Sequence, residues 1–280
     1  MTTIRSITLP SGEEIAALGQ GTWHFAERPM RRADEIASIR LGLDLGMTVL
    51  DTAEMYGDGA SEVLVGEAIA GRRDEVFLVD KVLPQNATRV GTVRTCKASL
   101  ARLHTDHIDL YLLHWRGNVP LAETVEGFVD LMAEGLIRYW GVSNLDGDDM
   151  VELTGLPGGE QVQTDQILYN LSRRGPEYDL IPWLSERAIP IMAYSPIEQG
   201  RMLGHPALEE VARRHAAKPA QIALAWVLRH DGVNTIPRAG TPAHVAQNAA
   251  SAEIHLAPDD LSLLDGAFPP PIRPRPLEML

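Results

Sequence analysis

Cysteine is almost absent: Cys96 stands alone in 280 residues. No disulfide can form within the chain, which excludes a secreted disulfide scaffold and makes a reducing cytoplasm the simplest setting. Cys96 lies in "TVRTCKASL", a helical pattern, and is expected to be buried and inert. Long apolar runs are missing too. No stretch reaches ~18 uninterrupted apolar residues, and the opening "MTTIRSITLP" lacks an apolar core, so neither export nor membrane insertion is expected. Positive charge is in deficit, with 25 Lys and Arg against 38 Asp and Glu and a formal net charge of −13. Nucleic acids and anionic membranes both demand a basic footprint, so neither is expected as a partner. One local basic pocket for a phosphate is still permitted.

What is present is ordinary globular material, 45% hydrophobic and 22% charged. From about residue 17, short β-branched runs alternate with longer helical patterns. The strand candidates are "ALGQG", "TVLDT", "VFLVDK", "IDLYLLH", "IRYWGVS", "VQTDQI", "IPIMAYS" and "VNTIPR". Between them lie amphipathic stretches such as "RADEIASIRLGLDLG", "SEVLVGEAIAG" and "LAETVEGFVDLMAEG", which finish on glycine as helices often do. Such alternation implies βαβ units and a parallel sheet, and eight units in ~250 residues are the count of a closed (β/α)8 TIM barrel. "ITLPSGEEIAAL" reads as an N-terminal β-hairpin, and the proline-rich "PPPIRPRPLEML" as a short irregular C-terminal tail. No linker divides the chain, so residues 1–280 are expected to form a single domain.

In parallel barrels, catalytic groups sit where strands end and the following loops begin. "TVLD" delivers Asp51 and its loop Tyr56; "VFLVDK" delivers Lys81, and "IDLYLLH" delivers His114. Asp51 and Lys81 are 30 positions apart, and Lys81 and His114 are 33, each about one βα unit. All four are therefore expected on one rim. A phenol, with an ordinary pKa of ~10, is a poor proton donor near neutrality. A lysine beside it favours phenolate and lowers that pKa, an aspartate keeps the lysine charged, and a histidine can orient a substrate oxygen. The set suits protonating a carbonyl oxygen while a hydride reaches the carbon. Glu54 reads as a loop acid with a capping or orienting role. "GQG" at 19–21 lacks a third glycine and any immediate helix, so it is no Rossmann fingerprint. His104 and His107 of "HTDH" precede a strand, at the non-catalytic face, and read as a solvated turn; no metal site is expected.

The chain resembles the aldo-keto reductases from "GQGTW" to "LDGAF", through "DTAEMYGDGASE", "VFLVDK", "IDLYLLHW", "RYWGVSN", "AYSP" and "IPRAGTPAHVAQN" in order. It is most similar to the bacterial branch that reduces small aldehydes such as methylglyoxal. The resemblance implies that Asp51, Tyr56, Lys81 and His114 form a catalytic tetrad with Tyr56 as general acid. It implies that Tyr194 stacks on a nicotinamide whose carboxamide meets Ser143, Asn144 and Gln166. Gly21, Thr22 and Trp23 would line the first loop, with Trp23, Tyr56, His114 and Trp115 walling the substrate pocket. Ser195, Pro196, Ile197, Gln199 and Gly200 would cover the pyrophosphate. Ile236, Pro237, Arg238 and Ala239 would receive the adenosine end together with His244, Gln247 and Asn248, with Arg238 at the 2′-phosphate. NADPH (NADP+) is thus the implied cofactor and NADH the alternative.

Four positions depart from the family's usual residues. Ala239 stands where serine is frequent, His244 where arginine is frequent and Gln247 where glutamate is frequent, leaving Arg238 as the main fixed positive charge of that subsite. Asp165, where asparagine is frequent, would add negative charge near the carboxamide if it points inward. Short connections such as "WRGNVPLAET" imply an open, shallow pocket and hence small aldehydes and dicarbonyls as the carbonyl substrates of a monomer. Two other classes compete: a non-catalytic NADP(H)-binding sensor or regulatory subunit, and a metal-dependent hydrolase using Asp51, Glu54 and His114. The hydrolase explains neither "AYSP" nor Arg238.

Overall fold

The computed structural model describes residues 4–280. An antiparallel hairpin comes first, β1 (Ser6–Thr8) and β2 (Glu14–Ala16), turning through Gly12 at φ +86°, a left-handed conformation that suits glycine. Eight parallel strands follow. They are β3 (Gln20–Gly21), β4 (Val49–Asp51), β5 (Phe77–Val82) and β6 (Ile108–Leu113). The remaining four are β7 (Ile137–Ser143), β8 (Asp165–Leu168), β9 (Ile191–Tyr194) and β10 (Val233–Thr235). They pair in chain order, and parallel bridges from Leu18 to Thr235 and from Gly21 to Arg238 join the first to the last. Across that seam the Gly19 N–H donates to Thr235 O and the Thr235 N–H to Ala17 O, both at 2.8 Å. The sheet is therefore a closed (β/α)8 barrel, as its periodicity implied.

The outer ring runs α1 (Arg32–Asp44), α2 (Ala60–Ile69), α3 (Arg89–Leu103), α4 (Leu121–Ala133) and α5 (Gly147–Thr154). It continues with α6 (Leu180–Ser185), α7 (Pro206–Arg214), α8 (Pro219–Leu228), α9 (Pro242–Ala250) and α10 (Pro258–Ala267). Two helices, α7 and α8, fill the β9–β10 crossover, and α10 packs on α7 before the irregular tail. Among the described residues no helix is long and apolar enough to cross a membrane.

Side-chain alternation sorts the apolar residues into two layers. Val49, Phe77, Val79, Leu110, Leu112, Met192 and Ile236 point into the barrel, whose floor the hairpin closes with Ile7, Leu9 and Ile15. Leu50, Leu78, Val82, Tyr111, Leu113 and Ile167 point outward against the helices. The inward row ends in polar residues at the strands' C-terminal ends, which puts Asp51, Lys81 and Gln166 at the mouth by the same period of two. The outer layer is tight where α2 meets the end of α3: a Cβ on Gly66 would sit 2.4 Å from Leu103 O, a backbone atom that cannot swing aside. Gly66→Ala is accordingly expected to destabilise the fold by about 1–3 kcal/mol, read as a lower denaturant midpoint at unchanged slope. An unshifted midpoint would mean that α2 can move away freely.

Candidate active site

Lys81 organises the mouth. Its ammonium, fully buried, lies 2.7 Å from Asp51 Oδ1 and donates to Asp51 Oδ2 at 2.8 Å, to Thr52 O at 2.8 Å and to the Tyr56 hydroxyl oxygen at 3.2 Å. Asp51 and Lys81 come from the rigid ends of β4 and β5, whereas Tyr56 hangs on a loop. That loop turns through left-handed Gly57 and Gly59 (φ 59° and 84°) and is tied back by the Ser61 hydroxyl, which donates to Thr22 Oγ1 at 2.9 Å. The run "EMYGDGASE" therefore has its glycines where the chain must reverse and its phenol where the turn points inward. His114, one residue past β6, meets the Tyr56 ring edge-on with centroids 5.9 Å apart. Trp115 lies half-buried beside it, rings 4.8 Å apart. Glu54 Oε1 accepts the Leu83 N–H at 2.7 Å and the Asn86 amide at 3.1 Å, orienting the loop after β5.

Electrostatics set the protonation states. Burial works against the Lys81 charge, but Asp51 and Tyr56 more than offset it, so the ammonium is held above its ordinary range. Burial pushes the Asp51 carboxyl up, opposed by Lys81 and by the bond from Gln166. Burial also pushes the Tyr56 phenol up; the Lys81 ammonium pulls the other way without overcoming it, and Asp51 adds to the rise. The lysine's effect on the phenol has the expected sign, but the net shift is upward, because desolvating a phenolate at the mouth outweighs one cation. Burial and then the Lys81 charge push His114 down to about 2, so it is a neutral imidazole, and its Nδ1 is buried without a partner among the described residues.

The polar groups expected around a nicotinamide form a chain of bonds. The Tyr194 hydroxyl donates to Asn144 Oδ1 at 2.9 Å, and Asn144 Nδ2 donates to Ser143 Oγ at 2.9 Å and to His114 O at 3.1 Å. Ser143 Oγ donates to Gln166 O at 2.8 Å. Gln166 Nε2 in turn donates to Asp51 Oδ1 at 2.8 Å, an arrangement its sequence position did not reveal, which leaves the side-chain carbonyl for a ligand. Asn144 holds φ 57°, a left-handed conformation asparagine tolerates better than most residues. Asp165 precedes Gln166 and so points the other way, out of the barrel. It adds no charge at the mouth, and burial pushes its carboxyl far up.

The remaining expected contacts divide by exposure. Trp23 is 37% exposed at the rim with its ring 4.0 Å from that of His24. Thr22 is fully buried, its hydroxyl donating to Asp51 O at 2.9 Å, so its side chain joins two loops instead of lining one. A Cβ on Gly21 would lie 2.6 Å from Ile236 O, which is why the seam has glycine there. Ile236, Pro237, Ala239 and Asn248 are buried, whereas Arg238, His244 and Gln247 are exposed. Arg238 is 44% exposed, and its nearest carboxylate is Glu35 at 4.0 Å. Burial lowers the pKa of its guanidinium, Glu35 opposes that, and the nearby Arg31 adds to it. The 195–200 loop is strained, with Ser195, Glu198, Gln199 and Gly200 at φ 48°, 49°, 53° and 87°. Sequence reasoning missed what holds it: buried Glu198 accepts from Asn170 at 2.9 Å, Arg173 at 2.9 Å and Arg201 at 2.7 Å. No local pattern in the sequence flags it. The tail, irregular as expected, reaches the mouth, where Arg173 pairs with Glu278 at 2.5 Å and the Leu280 backbone meets the Tyr194 phenol. His104 and His107 lie before β6 at the opposite end; His107 pairs with Asp106 at 2.7 Å. Burial pushes the Cys96 thiol up, away from reactive thiolate.

A closed (β/α)8 barrel presenting a buried lysine between a carboxylate and a phenol defines an oxidoreductase of the carbonyl-reducing kind. The model of the Aldo/keto reductase family matches residues 17–268, and the chain belongs to that family. It is 50% identical over 271 residues to the methylglyoxal reductase YeaE of Escherichia coli K12, covering 95% of each chain. A methylglyoxal reductase of Salmonella typhimurium, DkgB, is 29% identical over 88% of this chain and 90% of its own. Among solved structures, an aldo/keto reductase from Klebsiella pneumoniae in complex with NADP and acetate superposes with a TM-score of 0.97 at 46% identity, covering 99% of this chain and 100% of that one. The thermostable aldo-keto reductase Tm1743, bound to epalrestat, does so with a TM-score of 0.87 at 36% identity, covering 94% of this chain and 99% of its own.

Proposed function

We propose that this aldo-keto reductase reduces aldehydes and small dicarbonyls such as methylglyoxal to alcohols, with NADPH as the preferred cofactor. The observation that carries the reading is the Lys81 ammonium bridging Asp51 and the Tyr56 hydroxyl at 2.7 and 3.2 Å. When bound, NADPH supplies hydride to the carbonyl carbon. Tyr56 holds the proton for the carbonyl oxygen, and Lys81 stabilises the phenolate left behind. Asp51 keeps Lys81 charged and in place. Neutral His114 orients the oxygen through a ring nitrogen, and Trp23 and Trp115 shape the space around it.

The residues suit a phosphorylated dinucleotide. Arg238 has no carboxylate closer than 4.0 Å among the described residues, so a phosphate can approach it without breaking a tight ion pair. Tyr194, Ser143, Asn144 and Gln166 would hold the nicotinamide, the 195–200 loop the pyrophosphate, and the segment from Ile236 to Asn248 the adenosine. The identity to YeaE supports methylglyoxal, and the likeness to the NADP-bound Klebsiella enzyme supports NADPH. We further propose that residues 1–280 act as one catalytic domain, monomeric and cytoplasmic; a sedimentation mass of a dimer would overturn the monomer.

Mixing enzyme, NADPH and methylglyoxal is expected to consume NADPH absorbance at a rate indifferent to a chelator. Cofactor binding with no turnover of any carbonyl would favour a sensor, and chelator-sensitive hydrolysis a metal enzyme. Arg238→Ala is expected to raise KM for NADPH about tenfold more than KM for NADH, since a charge-assisted bond to the 2′-phosphate exists only with NADPH. Equal losses for both would assign Arg238 to supporting its loop.

A further inference from the structure

Arg31 lies in the loop after β3, and Arg238 in the loop after β10, the two strands that meet at the barrel's closing seam. Arg31 Nη2 donates to Gly240 O at 3.0 Å, so one loop reaches across to the other. A Cβ placed on Gly240 would stand 3.5 Å from Arg238 Nη2 and 3.9 Å from Arg31 Nη2, so both guanidinium ends converge on one spot. Each side chain is about two-fifths exposed, 41% and 44%.

Like charges this close repel unless an anion lies between them. The protein's own acids are poorly placed to serve. Asp34 is 3.9 Å from Arg31 Nε and mostly exposed. Glu35 is 4.0 Å from Arg238, and its other oxygen accepts the Ala26 N–H at 3.0 Å. Elsewhere arginines meet acids closely, as Arg102 meets Glu62 at 2.5 and 3.0 Å. In a chain with 38 acids, two converging arginines with no carboxylate nearer than 3.9 Å among the described residues mark a place shaped for an external dianion.

We propose that Arg31 is the second arm of a clamp on the cofactor's 2′-phosphate, facing Arg238 from the opposite loop and supplying the fixed cation that His244 does not. The proposal rests on the NADPH reading above and adds a specificity-determining residue from outside the 236–248 segment. A phosphate monoester offers three oxygens, enough for a forked contact from each guanidinium. The unphosphorylated ribose of NADH offers none of this charge, so the clamp discriminates between the cofactors.

The test is equilibrium titration of NADP+ and NAD+ by quenching of tryptophan fluorescence in the parent, Arg31→Ala, Arg31→Lys and Arg238→Ala proteins. Arg31→Ala is expected to weaken NADP+ binding about tenfold, to leave NAD+ within about twofold, and to be partly rescued by Arg31→Lys. Equal weakening of both would mean that Arg31 merely latches its loop to Gly240 O, and no weakening would mean that it stands idle; either overturns the clamp. If Arg238→Ala stays selective in those cases, the NADPH reading survives the failure. If the parent binds the two cofactors alike and neither variant is selective, that reading falls as well.

Discussion

Tyr56→Phe is expected to lose about 10²–10⁴-fold of kcat for carbonyl reduction while binding NADP+ as the parent does. The substitution removes one oxygen and keeps the ring, so the edge-on contact with His114, centroids 5.9 Å apart, survives. What disappears, on the proposed role, is the proton for the substrate oxygen. Burial holds the phenol above its ordinary range, so Tyr56 keeps its proton near neutral pH as a general acid must. Lys81, donating to the same oxygen at 3.2 Å, favours the phenolate that remains once the proton has gone. The loss should therefore fall on kcat with KM for the aldehyde little changed, since the ground state gives up no strong bond. A variant keeping more than about a tenth of the parent rate would remove Tyr56 from the role.

Lys81→Met should lower kcat about 10²–10³-fold, the usual effect of removing a single preorganised donor from developing negative charge. The residual rate should carry a pH signature. With Tyr56 as the proposed acid, reduction needs the protonated phenol, so the rate should fall as pH rises through the phenol's pKa. Lys81 lowers that pKa, and removing it moves the falling limb to higher pH. A profile matching the parent in height and shape would rule the role out. The variant also strands Asp51, which is buried and among the described residues keeps only its bond from Gln166 at 2.8 Å. Breaking one side of a buried pair costs about 3–5 kcal/mol, so thermal unfolding should be followed in parallel. Asp51→Asn combined with Lys81→Met removes the stranded charge and should recover part of that stability without recovering the rate.

The barrel and the gathering of Asp51, Tyr56, Lys81 and His114 at one rim were legible in the sequence, because both follow from periods and spacings. Eight apolar runs separated by helical patterns have few other ways to bury themselves, and each inward residue at a strand's end must join the same rim. Asp51, Lys81 and His114 could be lined up by counting βα units, and Tyr56 by its glycine-bounded turn. Less was legible in the loops. Nothing in "SPIEQG" marks Glu198 out, yet it is 4% exposed and gathers Asn170, Arg173 and Arg201 beneath the 195–200 loop. Partners 25 to 28 positions away leave no periodic trace.

By itself, then, the sequence determined the fold class, the rim and the chemical types placed on it, because strand and helix periods are local properties of the chain. Tertiary structure alone decided which polar atoms remain free for a ligand. It committed the Gln166 amide to Asp51, buried the Thr22 hydroxyl, turned Asp165 away from the mouth and held the phenol's pKa high despite its lysine. It also brought Arg31 to Arg238 across 207 positions of chain, at a seam that exists only when the first strand meets the last. Each of these depends on desolvation or on distances across the closed barrel, quantities that no run of neighbouring residues contains.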